Sequence, residues 1–288
     1  MRPFGIFLLF LAGTLLAAAL LYYPAWLAIA PLGDIEPHKL LNRLAKLLAL
    51  GYFFVLIRQI GMASPRALGY ALPPGRFLRE LTLGLAFGAA MLMALSGALL
   101  ALGVRIPAAG SSNLPALLAT GLLSGLAVAF IEETFFRGAV YGAIRRRASL
   151  AVAATLSSAF YAGLHFLGPR RLPGDATVGW TTGLELLATD FHRLADPAIL
   201  DSFAALFAVG SLLALVRERT GNIALCIGLH AGWVMVIKVT RSLTELRPDA
   251  HLGVLVGEYD HFIGWLAFAW VSLIAALYWS LTRPEGAA

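Results

Sequence analysis

The sequence predicts an all-α, polytopic membrane protein of about eight transmembrane helices. Three observations predict it. Of the 288 residues, 59% are hydrophobic and 13% are charged, whereas a soluble domain carries about 25% charged residues. Mean hydropathy is +0.80. The apolar residues are also gathered into runs long enough to cross a bilayer, which takes roughly 20 residues of helix.

The runs lie at 4–30, 44–62, 81–104, 114–144, 149–167, 201–216, 221–239 and 261–282. The first exceeds the roughly 7–15 apolar residues of a secretory signal, so it reads as an uncleaved first span. The sixth is short and the fourth long, differences that tilt or local thinning of the bilayer absorbs. No internal repeat and no low-complexity linker interrupts the pattern. The expectation is one helical domain over 1–288.

Charge lies mainly between the runs. The net charge of +6 comes from scattered Arg and Lys, with no basic stripe interleaved with aromatics, which argues against nucleic acid as a partner. Arg145, Arg146 and Arg147 stand consecutively in a tight connection. Under the positive-inside rule they place both termini inside. Arg far outnumbers Lys, as in GC-rich bacterial genomes, so a bacterial inner membrane is the expected location. Cys226, the sole cysteine, excludes an intramolecular disulfide and a thiolate zinc cluster.

The longest connection, 168–200, opens with Pro169, Pro173 and Gly174. It then reads as an amphipathic helix with Leu184, Leu187, Phe191 and Leu194 on one side. Such a helix lies in the interface plane.

Three runs carry ionisable groups where these are expensive. A charge at the centre of a span costs at least about 2.5–3.5 kcal/mol on the insertion scale, so each marks a candidate site. The fourth run contains Glu132-Glu133-Thr134-Phe135-Phe136-Arg137-Gly138. Glu133 and Arg137 are four apart in the favourable acid-first order, which predicts an ion pair. Glu132, about 100° around the helix, is left the freer carboxylate. The fifth run brings Tyr161 and His165 onto one face, with Gly163 expected to permit close helix approach. The seventh carries His230 between Gly228 and Gly232, where another backbone can come near. Taken singly, each histidine or charge also reads as a packing contact between helices.

A carboxylate with two histidines supports two related chemistries. Glu132 can act as general base on a water, assisted by a histidine, with that water attacking a peptide carbonyl. Alternatively, Glu132, His165 and His230 can ligate zinc as a His2Glu set. The HExxH spacing is absent, so the sequence offers no local support for the metal, and no cofactor is favoured. A proton relay in a coupled carrier is a further reading, without the inverted repeats that would support it.

Together these motifs resemble the CPBP (Abi, CAAX-prenyl-protease-like) intramembrane endopeptidases. That family's pattern is EExxxR, then FxxxH, then HxxxN or HxxxD. Glu132, Glu133 and Arg137 meet the first in full; Tyr161 stands for Phe before His165; His230 is followed by Val234 in place of Asn or Asp. The resemblance covers about 66–240, including Leu68-Gly69-Tyr70 ahead of the third run.

It implies an eight-helix protease acting on a peptide or membrane-protein substrate; the resemblance leaves glutamic and metal types open, and the glutamic type is favoured. Glu132 and His165 would activate water, and His230 would polarise the carbonyl, with Glu133 and Arg137 in support. Valine has no donor to offer an oxyanion, which leaves the Trp233 indole or the Tyr161 hydroxyl to replace it. It also keeps open a non-catalytic membrane adaptor of the same fold.

Overall fold

The computed structural model describes residues 2–33, 35–110, 113–169, 171–172 and 177–282. Ten α-helices carry it: α1 (Arg2–Ile29), α2 (Pro37–Gln59), α3 (Pro74–Ala101), α4 (Leu114–Glu133), α5 (Tyr141–Arg145), α6 (Leu150–Leu164), α7 (Thr182–Asp190), α8 (Leu200–Thr220), α9 (Ala224–Leu243) and α10 (Trp265–Leu281). Among the described residues six segments are long and apolar enough to span a membrane, namely Phe4–Leu32, Pro37–Gln59, Pro74–Ala101, Leu114–Arg145, Pro197–Thr220 and Ala224–Leu243. Leu150–Leu164 and Trp265–Leu281 are shorter apolar helices. The chain is an all-α polytopic membrane protein. Among the described residues the sheet is a single antiparallel pair, β1 (Arg105–Pro107) with β2 (Thr244–Leu246), in which Arg105 opposes Leu246.

Several helices extend beyond the apolar runs, for one reason. Charged residues stop a hydropathy run without stopping a helix, because helical hydrogen bonds are internal to the backbone. So α2 and α3 begin at Pro37 and Pro74, ahead of 44 and 81. The sixth run, expected to end at 216, continues through Arg217, Glu218 and Arg219 to Thr220. Gly221, at φ 68°, stops it in the left-handed conformation. Conversely, α6 ends at Leu164, short of the expected 167.

By contacts the chain divides into two compact units, Met1–Ala63 with Gly163–Pro197, and Ser64–Ala162 with Ala198–Ala288. In the first, α1 packs on α2 and α7 around Ala18, Tyr22, Leu40, Leu41 and Leu186. The amphipathic helix expected in the long connection is α7, and its apolar stripe is not the face that packs on the protein. Thr182, Gly183, Leu186 and Asp190 turn inward, while Leu184, Phe191 and Leu194 are exposed. The physical reason is Gly183: a Cβ there would stand 2.1 Å from the Ala19 carbonyl oxygen, so only glycine admits that approach to α1. Pro173 and Gly174 lie outside the described residues.

The second unit is built around α9. Gly84 and Gly88 on α3 meet Gly228 and Gly232 on α9, two small-xxx-small faces in register. A Cβ at Gly84 would stand 2.4 Å from Leu225 O, and one at Gly228 2.1 Å from Leu81 O. Gly125 brings α4 equally close, its Cβ position lying 2.6 Å from Ala231 O. Backbone approach of this kind fixes α9 against α3 and α4 at the level of His230. The other face of α9 buries Cys226, Leu229, Trp233 and Val236 among residues of α3, α8 and α10. Gly163 has no such role. Among the described residues nothing lies within 4 Å of its Cβ position, so the close approach expected there is absent.

Candidate active site

Glu132 and Glu133 are the last residues of α4, and a π-helical segment, Thr134–Val140, follows at once. Its end is marked by the Tyr141 N–H reaching back five residues to Phe136 O. Such bulges are uncommon and collect at functional sites. Here the turn preceding α3 braces the segment at two points. The Tyr70 hydroxyl and Thr134 Oγ1 are 2.5 Å apart, and the backbone at Gly138 passes so near Leu68 O that a Cβ would stand 2.9 Å from it. Ile223 N donates to Gly69 O at 3.2 Å, which ties the same turn to the approach of α9.

Within this frame the expected ion pair forms. Arg137 Nη1 donates to Glu133 Oε1 at 3.1 Å, with both side chains buried. The guanidinium lies 4.5 Å from the centroid of the Tyr161 ring, a cation–π contact, and Nη2 reaches Gly210 O at 3.4 Å. A second partner was invisible to helical spacing. His230 Nδ1 donates to the same Glu133 Oε1 at 2.8 Å. A carboxylate only accepts, so this bond puts the imidazole proton on Nδ1 and leaves Nε2 for other work.

That nitrogen faces the other carboxylate. His230 Nε2 is 3.9 Å from Glu132 Oε2. The Glu132 side chain is 30% exposed where that of Glu133 is 0% exposed. Glu132 Oε2 itself is buried and has no hydrogen-bond partner among the described residues. The two acids therefore differ as their spacing predicts, one closed into a buried triad and the other open.

The surroundings are aromatic. The Tyr161 and Trp233 rings lie 6.3 and 6.4 Å from that of His230. Trp233 is buried, and its Nε1–H has no partner among the described residues, a buried donor left for something else to accept. Val234 is half-buried. His165 follows the last residue of α6, half-buried, and belongs to the unit that holds Gly163–Pro197. Among the described residues no three His, Cys, Asp or Glu side chains gather as a metal-ligand set. Glu132 and His230 alone would offer zinc two donors, where catalytic sites use three.

Residues 114–236 match the family model described as Rce1-like, type II CAAX prenyl endopeptidase Rce1-like. No curated protein and no solved structure matches the chain. The matched stretch runs from the start of α4 almost to the end of α9 and holds Glu132, Glu133, Arg137, Tyr161, His165, His230, Trp233 and Val234. Over that stretch, which is less than half of its length, the chain is similar to the CAAX-prenyl-protease-like, or CPBP, family.

Proposed function

We propose that this protein is an intramembrane endopeptidase in which Glu132 is the general base, His165 its partner in activating water, and His230 the group at the substrate carbonyl. The observation that supports this most is the pair of environments around His230. Glu133 takes Nδ1 at 2.8 Å and fixes the ring, while Nε2 stands 3.9 Å from the open carboxylate of Glu132. Too far apart for a direct hydrogen bond, the two groups address the same small volume. Water held there gives its proton to Glu132 as its oxygen bonds to the carbonyl carbon. Glu132 returns that proton to the leaving amine as the C–N bond breaks. Trp233 Nε1–H, buried and unpartnered, is the donor we assign to the oxyanion in place of the amide that Val234 lacks.

Glu133 and Arg137 are positioning residues, acting through His230. Zinc on Glu132, His165 and His230 would supply a Lewis acid, and no step above runs through a metal. The substrate is a peptide or membrane protein entering from the bilayer. The protein sits in a bacterial inner membrane with both termini inside, in keeping with the Arg145–Arg147 run. Val234 favours one second reading, a non-catalytic adaptor of the same family.

Comparative proteomics of cells carrying the wild-type protein or Glu132→Ala tests the proposal. An uncleaved precursor should accumulate in the variant, and purified wild-type protein should cleave it after exhaustive chelation. Loss of cleavage on chelation with rescue by stoichiometric zinc would replace the glutamic mechanism with a metal one. Absence of any accumulating precursor would favour the adaptor.

A further inference from the structure

Away from the glutamate–histidine site, a groove of about 450 Å³ runs between α6, α8 and the end of α10. Its walls are mostly apolar, with Leu150, Ala154, Phe207 and Leu215 along its length and Ser149 and Trp279 among its lining. On α8 the lining follows one stripe, Phe207, Ser211 and Leu215 at four-residue spacing. At about 1.5 Å of rise per residue that stripe is about 12 Å long. The next residue of the same stripe is Arg219.

The charges around this end are uneven. The Arg219 guanidinium lies 4.4 Å from the centroid of the ring of Trp279, a residue that lines the groove, and its Nε is buried with no hydrogen-bond partner among the described residues. Arg146 and Arg147, both exposed, immediately precede the start of α6, where Ser149 lines the groove. The one nearby acid on α8, Glu218, is engaged by Arg145 at 2.8 Å and by the Tyr141 hydroxyl. That contact also fixes the α5–α6 connection and the end of α8 at one level. A tryptophan and arginines at the mouth of an apolar groove between membrane helices form the arrangement that takes a lipid chain below and an anionic headgroup above.

We propose that this groove is a binding site for one anionic phospholipid. An acyl chain lies along Phe207, Ser211 and Leu215, and the phosphate is held by Arg219 with Arg146 and Arg147. The site is independent of the proteolytic reading, because none of these residues belongs to it.

The test is native mass spectrometry of the full-length protein in detergent, titrated with dioleoyl-phosphatidylglycerol or dioleoyl-phosphatidylcholine. One phosphatidylglycerol should be retained in preference to phosphatidylcholine. Arg219→Gln should weaken retention about fivefold, the equivalent of the roughly 1 kcal/mol that one basic group contributes beside an anionic lipid. Ala151→Phe, at an exposed wall position, narrows the groove without touching a charge and should weaken it by at least as much. Melting in lipid-free detergent shows whether Arg219→Gln is folded; if it is not, Ala151→Phe alone decides. Equal retention of the two lipids, or wild-type retention by a folded variant, would overturn the site.

Discussion

Glu133 and His230 are joined by a buried 2.8 Å hydrogen bond on the same carboxylate oxygen that takes Arg137 at 3.1 Å. One oxygen thus holds a guanidinium from its own helix and an imidazole from α9. The second oxygen, Oε2, is buried without a hydrogen-bond partner among the described residues. The triad sets the orientation of His230, and its strength depends on every member staying in place.

Breaking a buried ion pair by removing one partner strands the other charge. Glu133→Gln and Arg137→Gln should each destabilise the protein by about 3–5 kcal/mol, with the double variant milder than the sum. Denaturation in detergent micelles measures this. Glu132→Gln, which strands no bonded cation, should cost clearly less than either while removing the proposed base.

The α3–α9 contact makes a different claim. Gly228→Ala would set a methyl against Leu81 O, a backbone atom that cannot swing aside. Overpacking of this kind costs typically about 1–3 kcal/mol, and here it also moves His230. Gly163→Ala, with nothing within 4 Å among the described residues, should be neutral or stabilising in the same assay.

Burial pushes the Asp190 carboxyl on α7 up to about 6 from an ordinary 3.8, against a smaller pull from His192. A raised acid pKa means that the fold tolerates the neutral form and is penalised by the ionised one. The penalty is full above about 6 and fades as pH falls to 3.8. Asp190→Asn should therefore raise the melting temperature at pH well above that range and leave it almost unchanged well below. An equal effect across the range would show that Asp190 is ionised at no cost in the fold.

The oxyanion donor is the point at which this chain departs from the family pattern. Trp233→Phe keeps the ring and removes the N–H, and it should lower kcat by about 10²-fold with KM nearly constant. Val234→Asn places an amide one turn beyond His230 and should recover part of that loss in the double variant. If neither substitution moves kcat on the precursor identified by proteomics, the donor lies elsewhere.

The eight apolar runs, the separation of Glu132 from Glu133, and the Glu133–Arg137 pair were legible because each rests on local periodicity. Charge is expelled from a bilayer, and residues four apart share a helix face; both facts act within one segment. Helix ends were misjudged at Arg217 and Pro37 for the complementary reason, since hydropathy reports where lipid stops and hydrogen bonding continues past it. The inward face of α7 was not legible, because Gly183 packing on Ala19 sets it, while the apolar stripe is one that a bilayer can receive.

What only the tertiary structure decided is who meets whom between segments. The Glu133–His230 bond joins residues far apart in the chain, and no spacing rule reaches that far. The π-helical turn after Glu133 and its brace at Tyr70 and Thr134 are equally silent in sequence, since EExxxR fits either helical form. The sequence by itself determined which residues a membrane would make expensive. The glycine faces of α3, α4 and α9, by letting backbones touch, decided which of them share a site.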